Sequence, residues 1–167
     1  MYDKLTKSDI EKMEKEIEYR KLELRKQLLE EVKETRAHGD LSENFEYHAA
    51  KREKNKNESR IRYLERMIRT AQIIDDRSNQ DEVGMNNRVE VYFEEEGVTE
   101  SYRIVTTVRG DSLNQLISIE SPLGKALLGK KEGDRVEVQV NPGYSYFAVI
   151  KKIDKTEDDS EDKIRSY

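Results

Sequence analysis

In the first half of the chain apolar residues recur at Ile10, Met13, Ile17, Leu24, Leu28 and Val32, at spacings of 3, 4, 7, 4 and 4. A stripe this narrow suits a helix that buries one seam against a second helix. A second helical pattern restarts near Ser42 and runs through Ala50, Ile61, Leu64, Ile68 and Ala71, and neither stretch contains Pro. The short connector between them predicts an antiparallel hairpin. At ~1.5 Å per residue, arms of about 30 residues would each span roughly 45 Å. A turn near position 41 sets Ala50 against Val32, Ile61 against Arg20, Leu64 against Ile17, Ile68 against Met13 and Ala71 against Ile10. Thr6 is placed to cap the first helix. Asp9 then faces its positive end, and Leu5 and Ile10 take the hydrophobic-staple positions. Gly39 is expected to stop that helix. Lys54 and Asn57 fall in the seam opposite Leu28 and Leu24, so a looser middle section is expected there.

Composition agrees with solvated helices. Of 167 residues, 40% are charged and 34% apolar, too polar for one large core. The absence of Cys excludes disulfides and thiolate metal sites. The N-terminus has no apolar leader-like stretch and no segment approaches a membrane span, so a cytoplasmic protein with no membrane partner is expected. Net charge is −5, but His48 to Thr70 holds eight Lys/Arg against three Glu, a local +5 that leaves −10 elsewhere. This segregation fits either a solvated helix face or a surface for an anionic partner.

After Ile74 the period changes. DDRSNQDE reads as a linker, and short alternating runs follow: RVEVYF, SYRIVTTV, QLISIE, RVEVQV and YSYFAVIKKI. EEEG, RGDS and NPG mark turns between them. Ser121 as N-cap, Pro122 at the first helical position and Gly129 past the end frame one short helix. The expected fold class is α+β: an antiparallel coiled-coil hairpin over 1–75, a linker over 76–82 and a mostly antiparallel sheet with a short helix over 83–153. The acidic residues 154–167 are expected to form a disordered tail.

The connector HGDLSENFEYHAAKREK and the later SPLGKALLGKKEGDRVEV, preceded by LISIESP and SYRIV, resemble the two signatures of the bacterial Gre transcript-cleavage factors. The blocks run in the family's order over about residues 3–153, and HAAK after EY is closest to the GreA branch. The resemblance implies an FKBP-like C-terminal domain and a hairpin that enters the secondary channel of bacterial RNA polymerase. It also implies stimulated cleavage of the RNA 3′ end in backtracked complexes. Carried over by position, Asp40 and Glu43 match the tip acids, and Arg36 and Lys51 fall where the family has basic residues that contact RNA; Arg52 is a further RNA-binding candidate, with Lys54, Lys56 and Arg60 weaker. The factor would then be an accessory protein rather than an enzyme. It would have no cofactor of its own beyond Mg²⁺ in the polymerase active centre, and a monomeric state is favoured.

The residues themselves leave alternatives open. Two exposed acids bind Mg²⁺ feebly alone and would need ligands from the polymerase. Asp40 and Glu43 also stand three apart, as in a capping box, with Ser42 as a competing cap. His38 and His48 lack the spacing of a helical zinc site. Phe45 and Tyr47 suit either base stacking or local packing. Phe45 replaces the family's small residue, which keeps a non-cleaving channel regulator in view, and a coiled-coil chaperone or adaptor is the third class. Arg25-Lys26 stands where relatives have Arg-Pro, so the first helix is expected to run without a kink.

Overall fold

The computed structural model describes residues 3–39 and 44–166. The chain forms two units, one of Ile10–Ala71 and one of Asp3–Asp9 with Gln72 onward. Residues 3–9, expected within the hairpin, therefore group with the C-terminal unit.

The hairpin consists of α1 (Lys7–Tyr19), a π-helical turn (Arg20–Leu24), α2 (Arg25–Arg36) and α3 (Phe45–Thr70). Thr6 and Asp9 cap α1 reciprocally: the Asp9 N–H donates to Thr6 Oγ1 at 3.1 Å and the Thr6 N–H to Asp9 Oδ2 at 2.9 Å. Leu28, Ala50, Ile61 and Leu64 are buried in the seam, as the spacing predicted. Gly39 has φ +120°, a region that only glycine occupies readily, although the helical run ends three residues before it.

The first helical run continues from Lys7 to Arg36, but it includes a π turn that the sequence pattern does not predict. Here the Arg25 N–H reaches the Arg20 carbonyl, five residues back. The cause lies across the seam. Asn57 is buried, its Nδ2 donates to that same carbonyl at 3.2 Å, and Arg20 Nη1 donates to Asn57 Oδ1 at 2.9 Å. Asn57 thus meets Arg20, about one turn from its expected partner Leu24. Around it Glu16 accepts from Arg60 Nε and Arg20 Nε, both at 2.8 Å, and Arg25 Nε donates to Glu58 at 3.1 Å. The middle of the seam is cross-linked by polar groups rather than left as a gap over the leucines.

In the C-terminal unit β1 (Lys4–Leu5) pairs in parallel with β2 (Gln72–Ile73). Five further strands follow: β3 (Arg88–Phe93), β4 (Val98–Val105), β5 (Leu116–Ser118), β6 (Arg135–Asn141) and β7 (Tyr144–Asp154). They form one sheet in the order β5-β4-β3-β7-β6, antiparallel except for β4 with β5. Alternation along the strands sends Val89, Val91, Ile104, Val136, Val138 and Ile150 into one core. The short helix α4 (Pro122–Leu127) covers it with Leu127, and the Ser121 hydroxyl accepts from the Gly124 N–H at 3.1 Å as predicted. A Cβ on Gly124 would lie 2.0 Å from the Ser118 carbonyl oxygen, so the helix can approach β5 only without a side chain there.

The end of SYRIVTTV leaves the sheet as a 3₁₀ turn, Thr107–Arg109. Arg109 is buried, donates through Nε to Asp9 Oδ1 at 2.6 Å, and through Nη1 to Asp162 Oδ2 and Asn86 Oδ1, both at 2.7 Å. Thr106 Oγ1 donates to Asp9 Oδ2 at 2.7 Å, and Arg103 donates to Asp162 as well. Asp162 is therefore a buried counter-ion, in contrast to the expectation of a disordered tail over 154–167. Nearby, the Arg165 N–H donates to the Val108 carbonyl and Asn87 Nδ2 to that of Thr156. Among the described residues no helix is long and apolar enough to cross a membrane.

Candidate functional site

The hairpin connector is framed by the end of α2 and the start of α3. Helix α3 begins at Phe45, and Asn44 caps it by accepting from the Tyr47 N–H at 3.0 Å. The Asn44 side chain also donates to the Thr35 carbonyl, which ties the first turn of α3 to the last turn of α2. This corrects the capping alternative, since the cap of α3 is neither Asp40 nor Ser42. Asp40, Ser42 and Glu43 lie outside the described residues.

Arg36 and Lys51, predicted as RNA contacts, are brought to one ring. The Arg36 guanidinium lies 5.7 Å from the centroid of Tyr47 and the Lys51 ammonium 5.9 Å from it. Arg36 Nη2 also donates to the Tyr47 hydroxyl at 3.4 Å. That bond, with the charges of Lys51 and Arg36 behind it, holds the Tyr47 hydroxyl below its ordinary pKa. Both cations remain exposed at their ends, whereas Tyr47 is only 7% exposed. Tyr47 thus supports the cations and has no free face for a base. Phe45 is the reverse, 85% exposed. Packing at the connector is the role of Tyr47, and the open aromatic surface belongs to Phe45.

Arg52 is exposed but does not join this group, and Lys56 lies beside Glu53. Arg60 is corrected from a weak RNA candidate to a seam residue, buried against Glu16 and 5.3 Å from the Tyr63 ring. His38 Nδ1 lies 3.5 Å from Glu46. Among the described residues no three His, Cys, Asp or Glu converge as metal ligands. The family resemblance, carried over position by position, pointed to Arg36 and Lys51. It did not reveal that Tyr47 gathers them, because the register across two helices is needed to see it.

The sequence matches the family description "Transcription elongation factor, N-terminal" over residues 4–73. It matches "Transcription elongation factor, GreA/GreB, C-term" over residues 78–155. The chain belongs to the GreA/GreB transcription elongation factor family. Transcription elongation factor GreA of Thermoanaerobacter pseudethanolicus is 45% identical over 83% of this chain and 89% of its own length. The GreA of Thermotoga maritima is 40% identical over 91% and 97%, and that of Geobacillus kaustophilus 45% over 87% and 93%. The crystal structure of GreA factor homolog 1 (Gfh1) of Thermus thermophilus is 28% identical over 92% of this chain and 98% of that one, with a TM-score of 0.42. Within the GreA/GreB chain the matched descriptions end at residue 155, before Asp162.

Proposed function

We propose that this elongation factor stimulates the RNA polymerase's own cleavage of the RNA 3′ end in backtracked or arrested complexes, acting through the polymerase's secondary channel. The observation that carries the reading is the pair Arg36 and Lys51, held on Tyr47 at the end of the hairpin where Asp40 and Glu43 join the two helices. Two cations at that end offset the repulsion between an acidic connector and RNA phosphates. Asp40 and Glu43 contribute carboxylate oxygens, and the polymerase supplies the rest of the Mg²⁺ coordination, since Mg²⁺ takes few carboxylates and keeps several waters. In a two-ion arrangement of this kind, one Mg²⁺ would supply a hydroxide nucleophile and the other would stabilise the leaving oxygen. Arg36 and Lys51, with Arg52 at the margin, hold the phosphates so that the scissile bond stays beside the acids. The chain is an accessory factor, and the chemistry belongs to the polymerase.

The test is RNA cleavage in stalled, backtracked complexes with the native chain, Asp40→Ala and Glu43→Ala. Loss of stimulation in both variants is expected, and undiminished cleavage in both would sink the proposal. A second reading rests on Phe45, whose ring is exposed beside the connector. If its bulk keeps the acids from the active centre, the chain is a non-cleaving channel regulator. Inhibited nucleotide addition without cleavage, relieved by Phe45→Ala, would favour that reading.

A further inference from the structure

One face of the C-terminal sheet carries an aromatic concavity of about 340 Å³, away from the residues assigned above. Its walls are Phe93 at the end of β3, Tyr102 on β4, and Tyr144 and Tyr146 on β7, with Leu123 of α4 also lining it. Tyr144 and Tyr146 share a face because they stand two apart in a strand. The Phe93 ring meets Tyr102 edge-on at 6.1 Å and Tyr146 at 6.0 Å, and Tyr144 lies 6.2 Å from Tyr146. Three carboxylates also line it: Glu95 and Glu96 from the β3–β4 turn, and Glu100 from β4. Tyr102 donates its hydroxyl to Glu100, and Tyr144 donates to Glu95 at 3.2 Å. At the small end of the roughly 300–1,000 Å³ range of ligand pockets, the space suits one side chain rather than a cofactor.

We propose that this concavity is a binding site for an arginine side chain presented by a basic peptide segment of a partner protein. Aromatic faces attract a cation through their quadrupoles, and a planar guanidinium stacks on them more readily than an ammonium does. The carboxylates keep lone pairs for the N–H fork after accepting from the two tyrosines. The opposite face of the sheet, to which Phe147 belongs by strand alternation, already carries this combination within the chain. Arg135 lies 3.8 Å from the centroid of Phe147, another lining residue, while its Nε donates to Glu94 at 2.9–3.0 Å. The field has the sign a cation requires. Burial and then the Glu100 bond hold the Tyr102 hydroxyl above its ordinary pKa, and the charge of Glu95, then burial, does the same for Tyr144. The glutamates are not a metal set, because no such convergence occurs among the described residues.

The site is independent of the hairpin reading, and its test uses the full chain without polymerase. Tyrosine-labelled protein is titrated with acetyl-Gly-Arg-Gly-amide and with the citrulline peptide of the same shape, following the tyrosine ring resonances by NMR. Saturable shifts at Tyr102, Tyr144 and Tyr146 are expected with the arginine peptide, and binding at least about tenfold weaker with citrulline. Glu96→Gln combined with Glu100→Gln should weaken arginine binding by about threefold or more while the backbone spectrum shows the sheet intact. Equal affinity for the two peptides, shifts that miss these tyrosines, or unchanged affinity in the double variant would each overturn the proposal.

Discussion

Arg109 is enclosed, with Asp9 and Asp162 on its Nε and Nη1, yet among the described residues its Nη2 has no hydrogen-bond partner. A buried ion pair broken on one side leaves an uncompensated charge, a loss of about 3–5 kcal/mol. Arg109→Ala, which strands Asp9 and Asp162 together, is expected to destabilise the C-terminal unit by that amount in urea unfolding followed by tyrosine fluorescence. Arg109→Met should lose less if the methionine fills the space, so the two variants separate packing from charge. Glu16 offers a pH test. Burial alone would raise its pKa, but hydrogen bonds from Arg60 and Arg20 outweigh this and hold it below the ordinary carboxyl value of 4.5. Because the folded value is the lower one, its contribution is fully present above that value and is lost as the pH falls through the folded pKa. Thermal midpoints of the native chain and Glu16→Gln, measured from pH 7 to pH 3, should therefore converge at the acid end.

At the scale of elements, the π turn of Arg20–Leu24 is an accommodation to Asn57. Asn57→Leu removes the amide that holds the Arg20 carbonyl and replaces a polar seam position with an apolar one. The expected outcome is an equal or higher melting temperature together with loss of the single register, seen as broadened amide resonances for residues 16–25. An unchanged spectrum would show that the π turn is intrinsic to the Arg20–Leu24 backbone. The seam positions, the five strands and the Ser121 cap were legible in the sequence because each follows a local period or a capping rule. The π turn was not, since no residue within 20–24 signals it and its cause is 37 positions away at Asn57. The cap at Asn44 was obscured by Asp40 and Ser42, which suit the role equally well by residue type. Arg36 and Lys51 were readable as cations, but their meeting at Tyr47 depends on hairpin register. Asp162 was hidden for another reason: ten polar residues in a row, Asp154–Lys163, read as solvated unless buried guanidinium groups elsewhere in the chain are known.

For the whole molecule, charge is divided by task. A chain of net −5 carries a local excess of +5 over His48–Thr70 of α3, and Arg36 and Lys51 gather at the connector end. If those two cations hold RNA phosphates, Lys51→Ala should weaken stimulation more at low salt than at high salt, with a shallower overall salt dependence. A cleavage assay across potassium chloride concentrations reads this directly, and parallel salt curves for the two proteins would argue against a phosphate contact. The C-terminal segment sets a different boundary. The matched family description ends at residue 155, but a counter-charge shared by Arg103 and Arg109 arrives seven residues later at Asp162. A chimera cut at residue 155 and grafted onto another chain would import two interior guanidinium groups while discarding a carboxylate that pairs with both. The usable splice point lies beyond Arg165, whose N–H still bonds to Val108.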